Sequence, residues 1–194
     1  MNIKIPLYYR THSTFGNGNQ PVLFNFNFDL NNKYSLPYQI GSMELKKILS
    51  EIYLSGHMMT GSMNESDLVG MEHAKYASEF ILNNYKNLNQ KKVLEIGCGN
   101  GFIINKIQER GSICTALEPG SQSRSLNTNK LRVINDFFPT KEIRNEKFDL
   151  IFHFNVLEHI ENPESMMFEI NKILEPNGTV IFGVPNCESF LKNG

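Results

Sequence analysis

Between Lys92 and Val184, short apolar runs alternate with stretches of helical period, which constrains the fold more than any other feature of the chain. Strands are expected at Lys92–Ile96, Ile113–Glu118, Arg132–Asn135, Phe148–Phe154 and Thr179–Val184. Helices are expected over Gly101–Arg110, Ser121–Asn129, Thr140–Asn145 and Pro163–Leu174. The last is well punctuated: Asn162 serves as N-cap, Pro163 fits the first helical position, and Glu175-Pro176-Asn177-Gly178 stops it. Val93-Leu94-Glu95-Ile96 and Leu150-Ile151-Phe152 read as near-continuous apolar runs, as strands do when helices cover both sheet faces. Alternating strands and helices of this kind predict an α/β fold with a doubly wound, mostly parallel, Rossmann-like sheet.

The chain changes character near residue 60, so residues 1–60 are expected to form a small β/α extension or lid and residues 61–194 the core. In the first part, Phe24, Phe26 and Phe28 alternate with Asn25 and Asn27, predicting one half-buried strand. The turn signals Gly16-Asn17-Gly18-Asn19 and Asn31-Asn32-Lys33 bracket it. A short helix carrying Leu45, Ile48, Leu49 and Ile52 follows. Ser62-Met63-Asn64-Glu65 fits a capping box, and Ala74, Ala77, Ile81, Tyr85 and Leu88 continue at helical spacing.

Composition narrows the function classes. Nineteen Lys plus Arg against twenty Asp plus Glu leave a net charge of -1, no surplus for neutralising a phosphate backbone, so a nucleic-acid partner is not expected. No apolar run approaches the roughly 18 residues needed to span a bilayer, and the start at Met1 lacks the apolar stretch of a signal peptide. Three well-separated cysteines, Cys98, Cys114 and Cys187, predict free thiols in a reducing cytoplasm and no metal site.

The most informative segment is Val93-Leu94-Glu95-Ile96-Gly97-Cys98-Gly99-Asn100-Gly101-Phe102, where the first core strand should turn into the first core helix. Its glycines allow positive φ and close backbone approach to a ligand. In open α/β sheets the ligand crevice lies at these carboxyl ends. A dinucleotide site would show G-x-G-x-x-G facing a pyrophosphate, whereas here a carboxylate, Glu95, stands two residues before the first glycine. That anion suits a cofactor carrying ammonium and sulfonium groups.

The segment resembles motif I of the class I S-adenosylmethionine (SAM)-dependent methyltransferases, and three further positions continue the likeness. Glu118 ends the second core strand in Ala116-Leu117-Glu118-Pro119-Gly120, Asp136 follows the third in Ile134-Asn135-Asp136-Phe137-Phe138, and the fourth runs into Val156-Leu157-Glu158-His159-Ile160. The resemblance covers about residues 65 to 187. It implies that Glu118 accepts both ribose hydroxyls, that Asp136 accepts from the adenine amino group with Phe137 on the ring, and that the backbone of His153, Phe154 and Asn155 meets the methionine portion. The implied cofactor-binding set is Glu95, Gly97, Cys98, Gly99, Glu118, Pro119, Asp136, Phe137, Phe154 and Asn155, with SAM as cofactor and a small-molecule acceptor.

Methyl transfer from a sulfonium needs alignment more than proton chemistry, but an oxygen or carbon nucleophile also needs a base. His153 is the candidate; Glu158 and His159 are expected to tie their turn to the sheet, and His57 and His73 to be loop and helix-surface residues. Glu72-His73-Ala74-Lys75-Tyr76 is similar to the helix before motif I in sugar C-methyltransferases, which implies a nucleotide-linked sugar acceptor. That family's zinc-binding cysteines have no counterpart in residues 1–97, and Cys98-Gly99-Asn100 is a general methyltransferase wording. Class I enzymes continue beyond a fifth strand with further elements, so the sheet is expected to lack its last strands and to expose an edge that favours a homodimer. The alternatives are a non-catalytic SAM-binding module and a nicotinamide-dependent oxidoreductase, the latter disfavoured by Glu95 and the glycine spacing.

Overall fold

The computed structural model describes residues 2–7, 22–31, 36–55, 68–126 and 131–186. The chain divides into two compact units, Met1–Met59 and Thr60–Gly194. In the first, β1 (Asn2–Leu7), β2 (Val22–Asn31) and β3 (Leu36–Ile40) form an antiparallel sheet in the order β1-β2-β3. Phe24 and Phe26 pair in register with Ile5 and Ile3 of β1, and Phe28 with Gln39 of β3. The alternating phenylalanines thus mark the middle of three strands, where the sequence pattern indicated one. Helix α1 (Met43–Ser55) follows. The turn at 16–19, His57 and the capping box at 62–65 lie outside the described residues.

The second unit begins with α2 (Leu68–Asn84) and continues through β4 (Lys92–Ile96), α3 (Phe102–Gln108), β5 (Ile113–Leu117), β6 (Arg132–Ile134), β7 (Phe148–Phe154), α4 (Pro163–Ile173) and β8 (Leu174–Gly183). Its five strands are all parallel, in the order β6-β5-β4-β7-β8. The order reverses between β4, which leads to β5 on one side, and β7 on the other. That switch is where such sheets hold ligands. Both faces are covered, as the apolar strands required. Ala74, Ala77 and Ile81 of α2 and Ile103, Ile104 and Ile107 of α3 pack on one side with Val93, Ala116, Leu150 and Phe152. Met166, Ile170 and Ile173 of α4 pack on the other with Leu94, Ile96, Leu117 and Ile151.

Two expected elements differ. In place of a helix over 140–145, residues 141–145 form hydrogen-bonded turns: Ile143 is buried, and Arg132 donates to the Glu142 carbonyl and pairs with Glu146. Among residues 121–129, Ser121–Leu126 form a 3-10 turn and the rest lie outside the described residues. At the stop after α4, the chain is already extended at Leu174, which pairs with Phe148, and Thr179 next pairs with Leu150. Glu175-Pro176-Asn177-Gly178 is therefore a bulge within β8 rather than a loop before it. The N-cap expectation for α4 matches: Asn162 Oδ1 accepts from Ser165 N at 3.0 Å. No helix among the described residues is long and apolar enough to cross a membrane.

Candidate functional site

Three loops converge at the carboxyl ends of β4, β5 and β7. The β4–α3 turn carries positive φ at Gly97 (75°), Gly99 (54°) and Gly101 (75°). The glycines serve different ends. A Cβ at Gly97 would lie 2.6 Å from Val156 Cγ2, and one at Gly101 2.7 Å from Leu126 Cδ1, so these two let neighbouring loops close in. Above Gly99 nothing lies within 4 Å of a Cβ position, which leaves open space for a ligand against the backbone.

Glu118, past the end of β5, joins the loops. Its Oε2 accepts from Gly99 N at 3.0 Å and its Oε1 from Gly120 N at 2.8 Å, and it is buried. A carboxylate offers about four acceptor sites, so backbone N–H groups and ligand hydroxyls can share one. Asn135, which the sequence reading passed over, donates to the Glu118 carbonyl (3.2 Å) and to Ser123 Oγ (2.6 Å); Ser123 in turn donates to the Gly120 carbonyl (3.0 Å). A polar residue at a strand tip was the available signal for Asn135. Pro119 is half-buried between Glu118 and Gly120.

Glu95 has a partner no sequence spacing showed. Gly101, the N-cap of α3, has no side chain to cap the helix. Glu95 supplies the acceptor from β4: its Oε2 takes the Ile104 N–H at 3.0 Å. Asn100 Oδ1 takes the Phe102 N–H at 3.2 Å. Burial pushes the Glu95 carboxyl well above the ordinary carboxylate range, the Ile104 bond opposes that, and the charge of Glu118 adds to it. Cys98 is buried, and burial pushes its thiol up as well.

The other expected residues are placed as follows. Asp136 is exposed, accepts from Phe137 N at 2.8 Å, and lines a cavity of about 320 Å³ with Ile134, Asn135 and Glu142. Phe137 is 39% exposed beside it. Phe154 packs on Phe152, ring centroids 6.2 Å apart, and Gly183 leaves room for it: a Cβ there would lie 2.6 Å from Phe154 Cδ1. Asn155 follows β7 with φ 54°, a left-handed conformation rare for a residue with a side chain, while its N–H donates to the Gly183 carbonyl at 3.0 Å. Its side chain is exposed.

His153 is a correction. Its ring is 0% exposed, stacks on Phe182 of β8 at 5.4 Å, and has no hydrogen-bond partner at either nitrogen. Burial pulls its pKa down to about 4, so it is neutral at pH 7 and a weak base. An acceptor cannot reach it in this structure. The strand-tip position suggested access, but alternation along β7 puts this side chain on the same sheet face as buried Ile151, against Phe182. Glu158 and His159 are partly exposed in the following 3-10 turn, 4.0 Å apart. On α2, His73 and Tyr76 are exposed, Glu72 pairs with Lys75 and Ala74 packs into the core, so the polar side chains of the segment likened to sugar C-methyltransferases are solvated.

These features fit a donor such as SAM: open space above Gly99, a preorganised carboxylate at Glu118, and a buried acid at Glu95. The comparisons with known proteins agree. A family model described as a methyltransferase domain matches residues 71–193. Ubiquinone biosynthesis O-methyltransferases are similar: that of Vibrio atlanticus (strain LGP32) is 28% identical over 115 residues, covering 55% of this chain and 48% of that protein. That of Histophilus somni (strain 2336) is 29% identical over 121 residues, covering 56% and 50%. The chain thus spans about half the length of these relatives. Among solved structures, a DhpI-SAM-HEP complex matches with TM-score 0.57 at 17% identity, covering 79% of this chain and 72% of that one. Coclaurine N-methyltransferase bound to N-methylheliamine and SAH matches with TM-score 0.51 at 19% identity, covering 70% and 44%. Motif, strand order and family model converge: the chain belongs to the methyltransferase-domain family, within the class I SAM-dependent superfamily.

Proposed function

We propose that this chain binds SAM at the tips of β4, β5 and β7 and transfers its methyl group to a small-molecule acceptor. The observation that carries this reading is the Glu118 carboxylate, held by Gly99 N and Gly120 N beside the open space above Gly99. Held in this way, Glu118 is oriented before any ligand arrives and can accept from both ribose hydroxyls. Asp136 and Phe137 serve the adenine, with the carboxylate accepting from the amino group. Gly97, Cys98, Pro119, Phe154 and Asn155 shape the walls for the methionine portion, and Glu95 supplies negative charge for the ammonium group.

When bound, SAM supplies a methyl group already activated on a sulfonium, transferred by in-line displacement. The protein's share is alignment, and orientation of this kind contributes up to about 7–11 kcal/mol. An acceptor hydroxyl must also lose its proton. With His153 withdrawn into the core, that task falls to solvent or to Glu158 and His159 in the turn after β7. The ubiquinone-pathway relatives favour a hydroxyl acceptor, and the exposed side chains on α2 give no support to a nucleotide-linked sugar.

Two measurements test this. Calorimetry with S-adenosylhomocysteine should show saturable binding, and its absence would refute the donor site. A screen with methyl-labelled SAM against hydroxylated aromatic acceptors and nucleotide sugars should label the former. Labelling confined to the sugars would reverse the acceptor assignment.

A further inference from the structure

We propose that Glu95 holds a proton in the free protein and releases it when the ammonium group of the methyl donor arrives, so that donor binding expels close to one proton. This inference rests on the donor-site reading above.

The geometry starts from β4. Its alternation places Val93 and Glu95 on the face beneath α3, and in register Glu95 lies between Ala116 of β5 and Phe152 of β7, both fully buried. Glu95 itself is 3% exposed. The hydrogen bond from Ile104 N favours the charged form but does not require it, because the carbonyl oxygen of a protonated carboxyl also accepts, more weakly.

The titratable groups around it offer no counter-charge. The β4–α3 turn contributes Cys98, whose thiol is pushed up by burial and then by Glu95 and Glu118. From β5 come Cys114, whose thiol burial pushes up to about 12, and, past the strand end, the acid Glu118. The charged groups of α3, Lys106 and Glu109 of its C-cap, pair with each other at 3.3 Å on the exposed side. On β7, Asp149 sits at the opposite end of the strand, bound to Lys91 at 2.8 Å. Among the described residues no cation pairs with Glu95. A carboxyl removed from water beside a second acid, with no cation, is more stable protonated. An ammonium group brought next to it in a low-dielectric site reverses the preference, because attraction replaces the missing solvation.

The test is calorimetry of S-adenosylhomocysteine binding to the 194-residue chain at pH 7, in phosphate and in Tris. These buffers take up protons with very different heats. The expected result is a buffer-dependent heat corresponding to release of between about 0.5 and 1 proton. 5′-Methylthioadenosine shares the adenosine and thioether but lacks the ammonium group, and it should bind without releasing a proton. Glu95→Gln, which mimics the protonated acid in size and hydrogen bonding, should abolish the release with S-adenosylhomocysteine. Binding with buffer-independent heat would overturn the proposal while leaving the donor site intact. So would equal proton release with 5′-methylthioadenosine, a comparison that needs no variant, or undiminished release from Glu95→Gln. No binding of S-adenosylhomocysteine at all would overturn the donor site and this inference together.

Discussion

The two halves of the parallel sheet treat buried polar groups in opposite ways. At the tips of β4 and β5, Glu95 and Glu118 each take backbone N–H groups, and Asn135 and Ser123 hold the Glu118 segment from behind. Across the switch point, His153 of β7 is fully buried with both ring nitrogens unpartnered, and its neighbour Phe182 on β8 is 48% exposed. An unpartnered buried donor or acceptor costs about 1–3 kcal/mol, so the β7–β8 half carries a penalty the β4–β5 half avoids. The lesson is that the buried acids at the β4 and β5 tips are oriented by backbone N–H groups in the absence of any ligand. In the other half, burial of a polar residue is tolerated for packing.

That contrast can be broken experimentally, beginning with the largest effect. Glu118→Ala should weaken S-adenosylhomocysteine binding about a hundredfold, or about 3 kcal/mol, because two charge-assisted contacts disappear together. Unchanged affinity by calorimetry would remove the carboxylate from the site. Gly97→Ala comes next. Its Cβ meets Val156 Cγ2 at 2.6 Å in a left-handed backbone, so thermal unfolding should show a loss of about 2 kcal/mol. Adding Val156→Ala should recover the steric part only; full recovery would mean that the backbone conformation is unstrained.

The smallest effect belongs to His153 and separates the halves by pH. Its folded pKa, about 4, lies below the ordinary value of 6.5, so the unfolded chain takes up the proton first as pH falls. Stability from this group is complete above about pH 6.5 and is lost as pH falls toward 4. Between pH 7 and pH 5 the unsubstituted chain should lose about 1–2 kcal/mol relative to His153→Phe, by denaturant unfolding of both, a difference from which Glu95 and the other titrating groups cancel. His153→Phe should remove that dependence and leave S-adenosylhomocysteine affinity within about twofold. A large loss of affinity would return His153 to the site.

Much of the molecule was legible before any coordinates. Lys92–Ile96 and Phe148–Phe154 form strands over the expected residues, and α4 starts where Asn162-Pro163 says it should, because caps and apolar runs act through near neighbours. The glycine turn was legible for the same reason, since positive φ at 97, 99 and 101 is a local demand. The weakly patterned stretches were not: 141–145 stays a set of turns because Ile143 and Arg132 anchor it from elsewhere, and Leu174 extends straight into β8 because β7 offers a ladder to join.

The order of elements, the parallel sheet and the acids at its strand tips were thus determined by the sequence alone, through periodicity and short-range sterics. Tertiary structure alone decided that Glu95 caps α3, that Glu118 bridges two loops and that His153 is sealed away from any acceptor. The reason is physical. A side chain's partner and depth are set by strands and helices distant in sequence, and solvation and charge follow from that depth.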